Sequence, residues 1–450
     1  MRPPRRVDWR RILWLGGVVA LCLAGVVTIL VVIGYDIGPL PLAIGIGAAV
    51  LPVPFLISAF LWLDRYEPEP VFYLVFCFVW GAGVAASVAY FGNTFVANQF
   101  KHHGLPQDAV AVLCAPVLEE SMKALGPVLL LLFTLWKKRR TFNGIVDSIV
   151  FFGLSATGFA MSENVLYLGG YGYATGADKG GFAGGLNGII AVFIGRIPLS
   201  GFAHPLFTSM TAVGVGVAIR ATDRRVKWIA PIAGLLAAML LHGSWNLMAT
   251  LAQNTGHSQI LLYGYFAVMM PIFLGMVGLA MWLRSAEGRL TQTALAGYVR
   301  AGWVSPPEIA SLASIGRRRG ARTWAKRIAG GPGADGMRGF QLAATQLALL
   351  RDRMSRRAAG GAAVSPDEIV EEQQLLTLMS AYRSAYVGRD PQAPRAMWDG
   401  ARYHLSFPDG SVRTIEAPAT PVVPVPVVKA PMPYPMPLPY GYPYPPPVRS

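Results

Sequence analysis

Charged side chains are scarce in this chain, at 14% of its 450 residues, where soluble domains carry about a quarter. That scarcity excludes an ordinary soluble enzyme of this length. Cysteine is scarcer still. Cys22, Cys77 and Cys114 are the three in the sequence, and none shares a C-x-x-C spacing with another. A disulfide framework and a cysteine-built zinc site are both excluded, which leaves buried apolar thiols. Acidic residues are outnumbered, 24 against 39 basic ones, for a formal charge of +15. The placement of those bases, described next, accounts for the excess without a nucleic-acid partner.

Apolar residues are abundant, at 53%. They gather into runs long enough to cross a hydrocarbon layer of about 30 Å, which takes ~20 helical residues. Eight spans are expected, near 12–34, 39–63, 71–92, 109–136, 144–168, 202–220, 228–251 and 259–283. The sixth is interrupted by Arg196, Pro198 and Pro205, the pattern of a broken helix or a re-entrant piece. The first is too long for a signal-peptide core and has no small-x-small cleavage pattern after it, so it reads as a retained span. With the N-terminus inside, Arg2, Arg5, Arg6, Arg10 and Arg11 fall on the cytoplasmic side. So do Lys137-Lys138-Arg139-Arg140, Arg224-Arg225-Val226-Lys227 and the basic C-terminal region, while the outer loops hold little beyond Lys101, Lys179 and Arg196. This is the positive-inside pattern, and it predicts both termini in the cytoplasm.

The expected organisation is therefore an all-α polytopic bundle. A basic N-terminus covers 1–11, the transmembrane domain 12–285, a cytoplasmic region of short helices 286–390, and a mostly disordered tail 391–450, Pro-rich from 418. Ser305-Pro306-Pro307-Glu308 and Ser365-Pro366-Asp367-Glu368 each carry the N-cap, first-turn proline and capping-box glutamate of a helix start. Gly-rich linkers are expected at 330–336 and 359–362, and a small hairpin around Pro408-Asp409-Gly410. The Pro-rich tail has polyproline II character and offers a ligand to a proline-binding partner, though a solvated tail is the simpler reading.

The chemistry lies in the few charges that the spans do contain. CAPVLEESMKALGPVLLLLF places Glu119, Glu120 and Lys123 in span four. Each such charge costs roughly 2.5–3.5 kcal/mol near a bilayer centre, so each is a functional candidate. Glu163 lies in span five, His204 at the start of span six, and His242 and Asn246 in span seven. The expected topology puts all of them in the outer half of the bilayer, Glu163 roughly 10 Å outward of its span's middle. Glu119 and Lys123 share a helix face, as do His242 and Asn246, each pair four residues apart. Carboxylates with imidazoles suit Zn²⁺ or a related divalent ion, with a carboxylate spare to activate water. Singly, each residue also reads as a helix cap, interhelical glue or a structural ion pair.

Glu119-Glu120-Ser121-Met122-Lys123 as EExxK, Phe159 to Glu163 as FxxxE, then His204 and His242-x-x-x-Asn246 on later helices form a specific series. The series resembles the PrsW family of bacterial intramembrane metalloproteases, relatives of the type II CAAX prenyl proteases, over roughly residues 40 to 285. The resemblance implies a bacterial cell-membrane protease that cuts membrane-anchored proteins near the outer face, in the manner of first-site cleavage of an anti-sigma factor. It implies Glu119 as the group for water activation or metal contact, and Glu120, held with Lys123, as the second carboxylate. Glu163, His204 and His242 would complete the metal set, and Asn246 would be an oxyanion donor. Catalysis by glutamate and histidine alone is the alternative to a bound metal. Two other functions fit the buried polar groups less well: a proton-coupled transporter or channel, and a membrane scaffold. The glycine-rich stretch from Gly169 is expected to be an outer loop, either a mobile lid or a plain connector.

Overall fold

The structure is a computed structural model that describes residues 9–137, 141–301, 303–389, 395–399, 401–406 and 411–416. The Pro-rich tail, the Pro408-Asp409-Gly410 turn, Lys138 to Arg140 and the first eight residues lie outside the described residues. Two compact units are present, Met1–Arg284 and Ser285–Ser450.

The regular structure of the first unit is all helix, as lipid requires, because a helix satisfies its own backbone hydrogen bonds. In chain order it contains α1 (Trp9–Ile37), α2 (Pro39–Val50), α3 (Val53–Leu63), α4 (Val71–Val79) and α5 (Ala86–His102). Then follow α6 (Ala115–Trp136), α7 (Ile145–Leu166), α8 (Thr175–Ile194), α9 (Ala203–Arg220), α10 (Arg224–Thr255), α11 (Gln259–Gly264) and the first half of α12 (Met270–Arg300), which runs on past Arg284 into the second unit. Single π-helical turns join α4 to α5, lead into α6, join α7 to α8, and end α8.

Six stretches are long and apolar enough to cross a membrane: Leu13–Ile37, Pro39–Leu63, Val71–His102, Ile145–Arg220, Arg224–Thr255 and Gln259–Val299. The chain is a multi-pass membrane protein. The difference from the eight expected spans has two sources. The α6 stretch carries Glu119, Glu120 and Lys123, and Ile145–Arg220 joins two expected spans through the glycine-rich segment between them. That segment is not a loop. Helix continues from α7 through the π turn Tyr167–Ala174 into α8, and breaks only at Gly180 and Gly181. Gly181 has φ +58°, a left-handed backbone that an L side chain rarely adopts. The result is a helical hairpin where a lid was one expectation.

Helix α7 is the axis of the first unit. Its polar residues, Asp147, Ser155, Glu163 and Asn164 among them, gather on no single face, and nearly every residue from Val146 to Val165 is buried, as expected for a helix surrounded by others. Its backbone meets that of the α4–α5 helix directly. A Cβ on Gly81 would lie 1.8 Å from the Ser155 carbonyl oxygen, and one on Gly158 would lie 2.0 Å from that of Phe78. Small residues at such a crossing let two helices pack backbone to backbone.

Between α3 and α4 the chain buries two acids, Asp64 at 4% exposure and Glu69 at 7%. The Glu69 backbone N–H donates to Asp64 Oδ2 at 2.8 Å. Burial pushes the Asp64 carboxyl up to about 7 and that of Glu69 to about 11, and the nearby Asp147 charge adds to both.

The second unit contains α13 (Pro306–Leu312), α14 (Ile315–Ala359), α15 (Pro366–Arg383) and a small antiparallel sheet. Both capping boxes form as the sequence predicts, at Ser305 with Glu308 and at Ser365 with Glu368. Arg383 Nε donates to Glu308 Oε1 at 2.7 Å over a core that includes Tyr298, Leu312, Phe340 and Leu347. The expected linker at 330–336 is instead a single break at Gly330, φ +64°, with helix on both sides. The hairpin strands β2 (Arg402–Ser406) and β3 (Val412–Glu416) are present, and β1 (Arg395–Trp398), which the sequence reading left in the disordered tail, pairs with β2.

Candidate active site

Two prolines shape α6, and each leaves a carbonyl that another helix serves. Pro127 has no N–H for the carbonyl four residues back, that of Lys123, and Ser155 Oγ on α7 donates to it at 2.7 Å. In the π turn Val110–Cys114 the donor to Ala111 would come from five residues on, which is Pro116. Asn246 Nδ2 on α10 donates to the Ala111 carbonyl at 2.8 Å instead. Trp80 Nε1 adds a third tie, to the Met122 carbonyl at 2.9 Å. These bonds hold the Glu119–Lys123 turn of α6 against α7 and α10.

That turn faces inward. Glu120 and Lys123 are 0% exposed, Glu119 6%, His242 3% and His204 8%. Lys123 Nζ lies 2.8 Å from Glu120 Oε1, 3.4 Å from Glu119 Oε2 and 3.0 Å from His204 Nδ1, with the Phe159 ring centroid at 4.1 Å. Glu120 also accepts Thr208 Oγ1 at 2.7 Å and faces His242 Nδ1 at 3.0 Å. Glu119 Oε1 accepts Asn93 Nδ2 at 3.2 Å, and its Oε2 lies 3.8 Å from His242 Nε2. Glu163 meets His204 Nε2 at 2.7 Å and pairs with Arg196. Three carboxylates therefore face two fixed cations, Lys123 and Arg196, and the cluster keeps an excess of negative charge while both imidazoles are neutral.

The ring protons follow from these partners. An ammonium can only donate, so His204 Nδ1 accepts from Lys123 and its proton sits on Nε2, directed at Glu163. Glu120 accepts the Nδ1–H of His242, which turns the Nε2 lone pair toward Glu119. Each imidazole is thus held by a carboxylate on one nitrogen, as metal-ligating histidines are. The other nitrogen of His242 turns toward Glu119, while that of His204 accepts from Lys123 and would reach an ion only once Lys123 gives way. The ligand atoms of Glu119, His204 and His242 all lie within 4.8 Å of one another. One carboxylate and two imidazoles fit a divalent ion by donor type.

The sequence singled out seven residues, and six of them meet here. The seventh, Asn246, sits on the same helix as His242, but its amide is engaged with Ala111. Glu163, expected in the metal set, lies outside the group of close ligand atoms and joins it through His204.

Known proteins match this same region. Residues 69–276 match the model of the PrsW family intramembrane metalloprotease. The chain belongs to the PrsW family. A curated relative is Protease PrsW of Bacillus subtilis (strain 168), 27% identical over 238 residues, which are 52% of this chain and 92% of that protein. No solved structure matches the chain. As a PrsW-family member the protein is an intramembrane peptidase, and its buried Glu119–His204–His242 group is one that could bind a metal. The match ends before the second unit begins.

Four partners of the cluster escaped the sequence reading. Thr208 is four residues after His204, so helical spacing carried its signal. Asn164 adjoins Glu163, and Arg196 reads in sequence as an outer-loop charge and an interruption of the sixth span. Asn93 shares its stretch with Thr94, Asn98 and Gln99, and nothing in sequence connects it to Glu119.

Proposed function

We propose that this protein hydrolyses peptide bonds in membrane-anchored proteins, near the outer face of a bacterial cell membrane, with its termini in the cytoplasm. The observation that carries the reading is the convergence of Glu119, His204 and His242 in a buried site. These three would hold a Zn²⁺ ion, which supplies Lewis acidity and makes water acidic enough to react near neutral pH. Glu119 makes the longest contacts of the three carboxylates, and its oxygen that does not hold the ion would take the proton of the attacking water. Glu120 keeps the His242 lone pair on Nε2, and Glu163 accepts the Nε2–H of His204, whose Nδ1 would reach an ion in place of Lys123. Lys123 offsets the carboxylate charge that burial would otherwise penalise. Asn246 reaches an oxyanion only by leaving Ala111, and its first role is to hold α6 to α10.

The relative's name, Protease PrsW, supports proteolysis. Cleavage of a membrane-bound anti-sigma factor is the signalling role we assign to it. The test compares purified wild type with Glu119→Gln and His242→Ala, measuring zinc content and following the processing of single-pass membrane proteins in cells. Zinc retained by wild type and reduced in His242→Ala is expected, with processing blocked in both variants. Unchanged processing of every membrane protein, together with no retained metal, would overturn the reading.

A further inference from the structure

The glycine-rich segment forms two antiparallel helical arms, one running from α7 to Lys179 and the other from Phe182 to Leu199. Their spacing is set by glycine against glycine. A Cβ on Gly184 would lie 2.3 Å from the Gly176 carbonyl oxygen, and one on Gly188 would lie 2.2 Å from that of Gly172. Gly172 precedes Gly176 by four residues and Gly188 follows Gly184 by four, so one register runs down both arms. Eight residues further along each arm, the same register sets Asn164 opposite Arg196. That pair is in contact: Arg196 Nε donates to Asn164 Oδ1 at 3.1 Å, its Nη2 pairs with Glu163, and its guanidinium stacks 3.8 Å from the centroid of Tyr167.

We propose that the hairpin is a positioning strut, whose glycine contacts set Arg196 on Glu163 so that Glu163 accepts the His204 Nε2–H and fixes the orientation of a ring whose tautomer Lys123 already sets. Arg196 is then a positioning residue that acts through Glu163. Its planar fork suits this work, because it bonds two side chains and stacks on a ring at once. This inference rests on the proposed site, and it makes the hairpin a rigid part of that site.

The test uses the full-length protein in detergent and two measurements, neither of which needs a substrate. Chelator competition gives the Zn²⁺ affinity, and ¹⁵N spectra of histidine-labelled protein give the ring tautomers. Arg196→Ala is expected to lower Zn²⁺ affinity about tenfold, the lower end for a residue that supports a ligand from behind. It should also shift and broaden the His204 Nε2–H signal, whose acceptor Glu163 is no longer held in place, while leaving the His242 signals unchanged. Gly184→Leu should do the same from the far end of the strut, and the double variant should be no worse than either single one. Arg196→Lys should recover part of both readouts. Gly180→Ala, where a Cβ meets nothing within 4 Å, should be silent. If Gly184→Leu does not fold, Gly184→Ala replaces it, since its Cβ already meets the Gly176 oxygen. Zinc affinity and the His204 Nε2–H signal unchanged in Arg196→Ala would overturn the proposal, as would effects of the two variants that multiply. A wild type that binds no zinc would remove the metal from the proposed function, and the strut would then stand or fall on the ring spectra.

Discussion

Glu119 and Glu120 are neighbours in sequence, yet their surroundings predict unequal losses of stability for the same amide substitution. Glu120 is 0% exposed and meets three groups: Lys123 Nζ at 2.8 Å, His242 Nδ1 at 3.0 Å and Thr208 Oγ1 at 2.7 Å. Glu120→Gln replaces one acceptor oxygen with an NH₂ that faces a donor, and it removes the charge nearest the buried ammonium. Breaking a buried ion pair from one side costs about 3–5 kcal/mol. For a unit of this size that lowers the unfolding midpoint by roughly 10 °C. Glu119→Gln leaves the closer pair of Lys123 with Glu120 intact, because Glu119 stands off at 3.4 Å. Its stability cost should stay near 1 kcal/mol, about one ordinary hydrogen bond. Activity should fall in both variants. The informative measurement is thermal unfolding in one detergent at matched pH, with Zn²⁺ affinity measured alongside. Affinity should drop about 10–100-fold in Glu120→Gln through loss of the group that orients His242. Equal midpoints for the two variants, or a larger loss in Glu119→Gln, would refute this division of labour.

Three further outcomes follow from contacts elsewhere in the first unit. Thr208→Val removes the hydroxyl that donates to Glu120 Oε2 and should cost about 1–2 kcal/mol, since bonds to a charged acceptor exceed neutral ones; the unfolding midpoint reads it. Asn246→Ala should leave Zn²⁺ affinity within a few-fold of wild type, because its amide serves the Ala111 carbonyl; a loss of a hundredfold by chelator competition would make Asn246 part of the ion's surroundings. Asp64, raised to about 7 in the folded protein from its ordinary 3.8, binds more protons folded than unfolded between those values, so wild type loses stability as pH climbs from 4 to 7. Asp64→Asn keeps an acceptor for the Glu69 N–H and does not titrate. It should flatten that slope and exceed wild type above pH 7 by up to about 4 kcal/mol, read from unfolding midpoints across pH.

Much of this was legible in sequence for a physical reason. A charge in an apolar run is costly, so Glu119, Glu120, Lys123, Glu163, His204 and His242 stood out one by one, and common depth joined them. The division of roles among the carboxylates was not legible, because it depends on which oxygen faces which nitrogen across four helices. The glycine-rich segment misled for a different reason. Glycine weakens a helix in water and reads as loop, but in a membrane protein it also lets two helices touch, and Gly172, Gly176, Gly184 and Gly188 do so. Asn246 drew attention through its spacing from His242, and only the geometry connects it to the donor missing at Pro116.

The seam where Gly81 meets Ser155 and Gly158 meets Phe78 has a consequence for how a substrate reaches the site. At those contacts the main chains of two helices touch with no side chain between them, so no slit can widen there without first exposing bare carbonyls to lipid. A membrane-embedded polypeptide travelling sideways toward Glu119 must therefore come in past other helices. A covalent clamp placed across this seam should leave turnover unaltered, while one placed across the entry route would stop it.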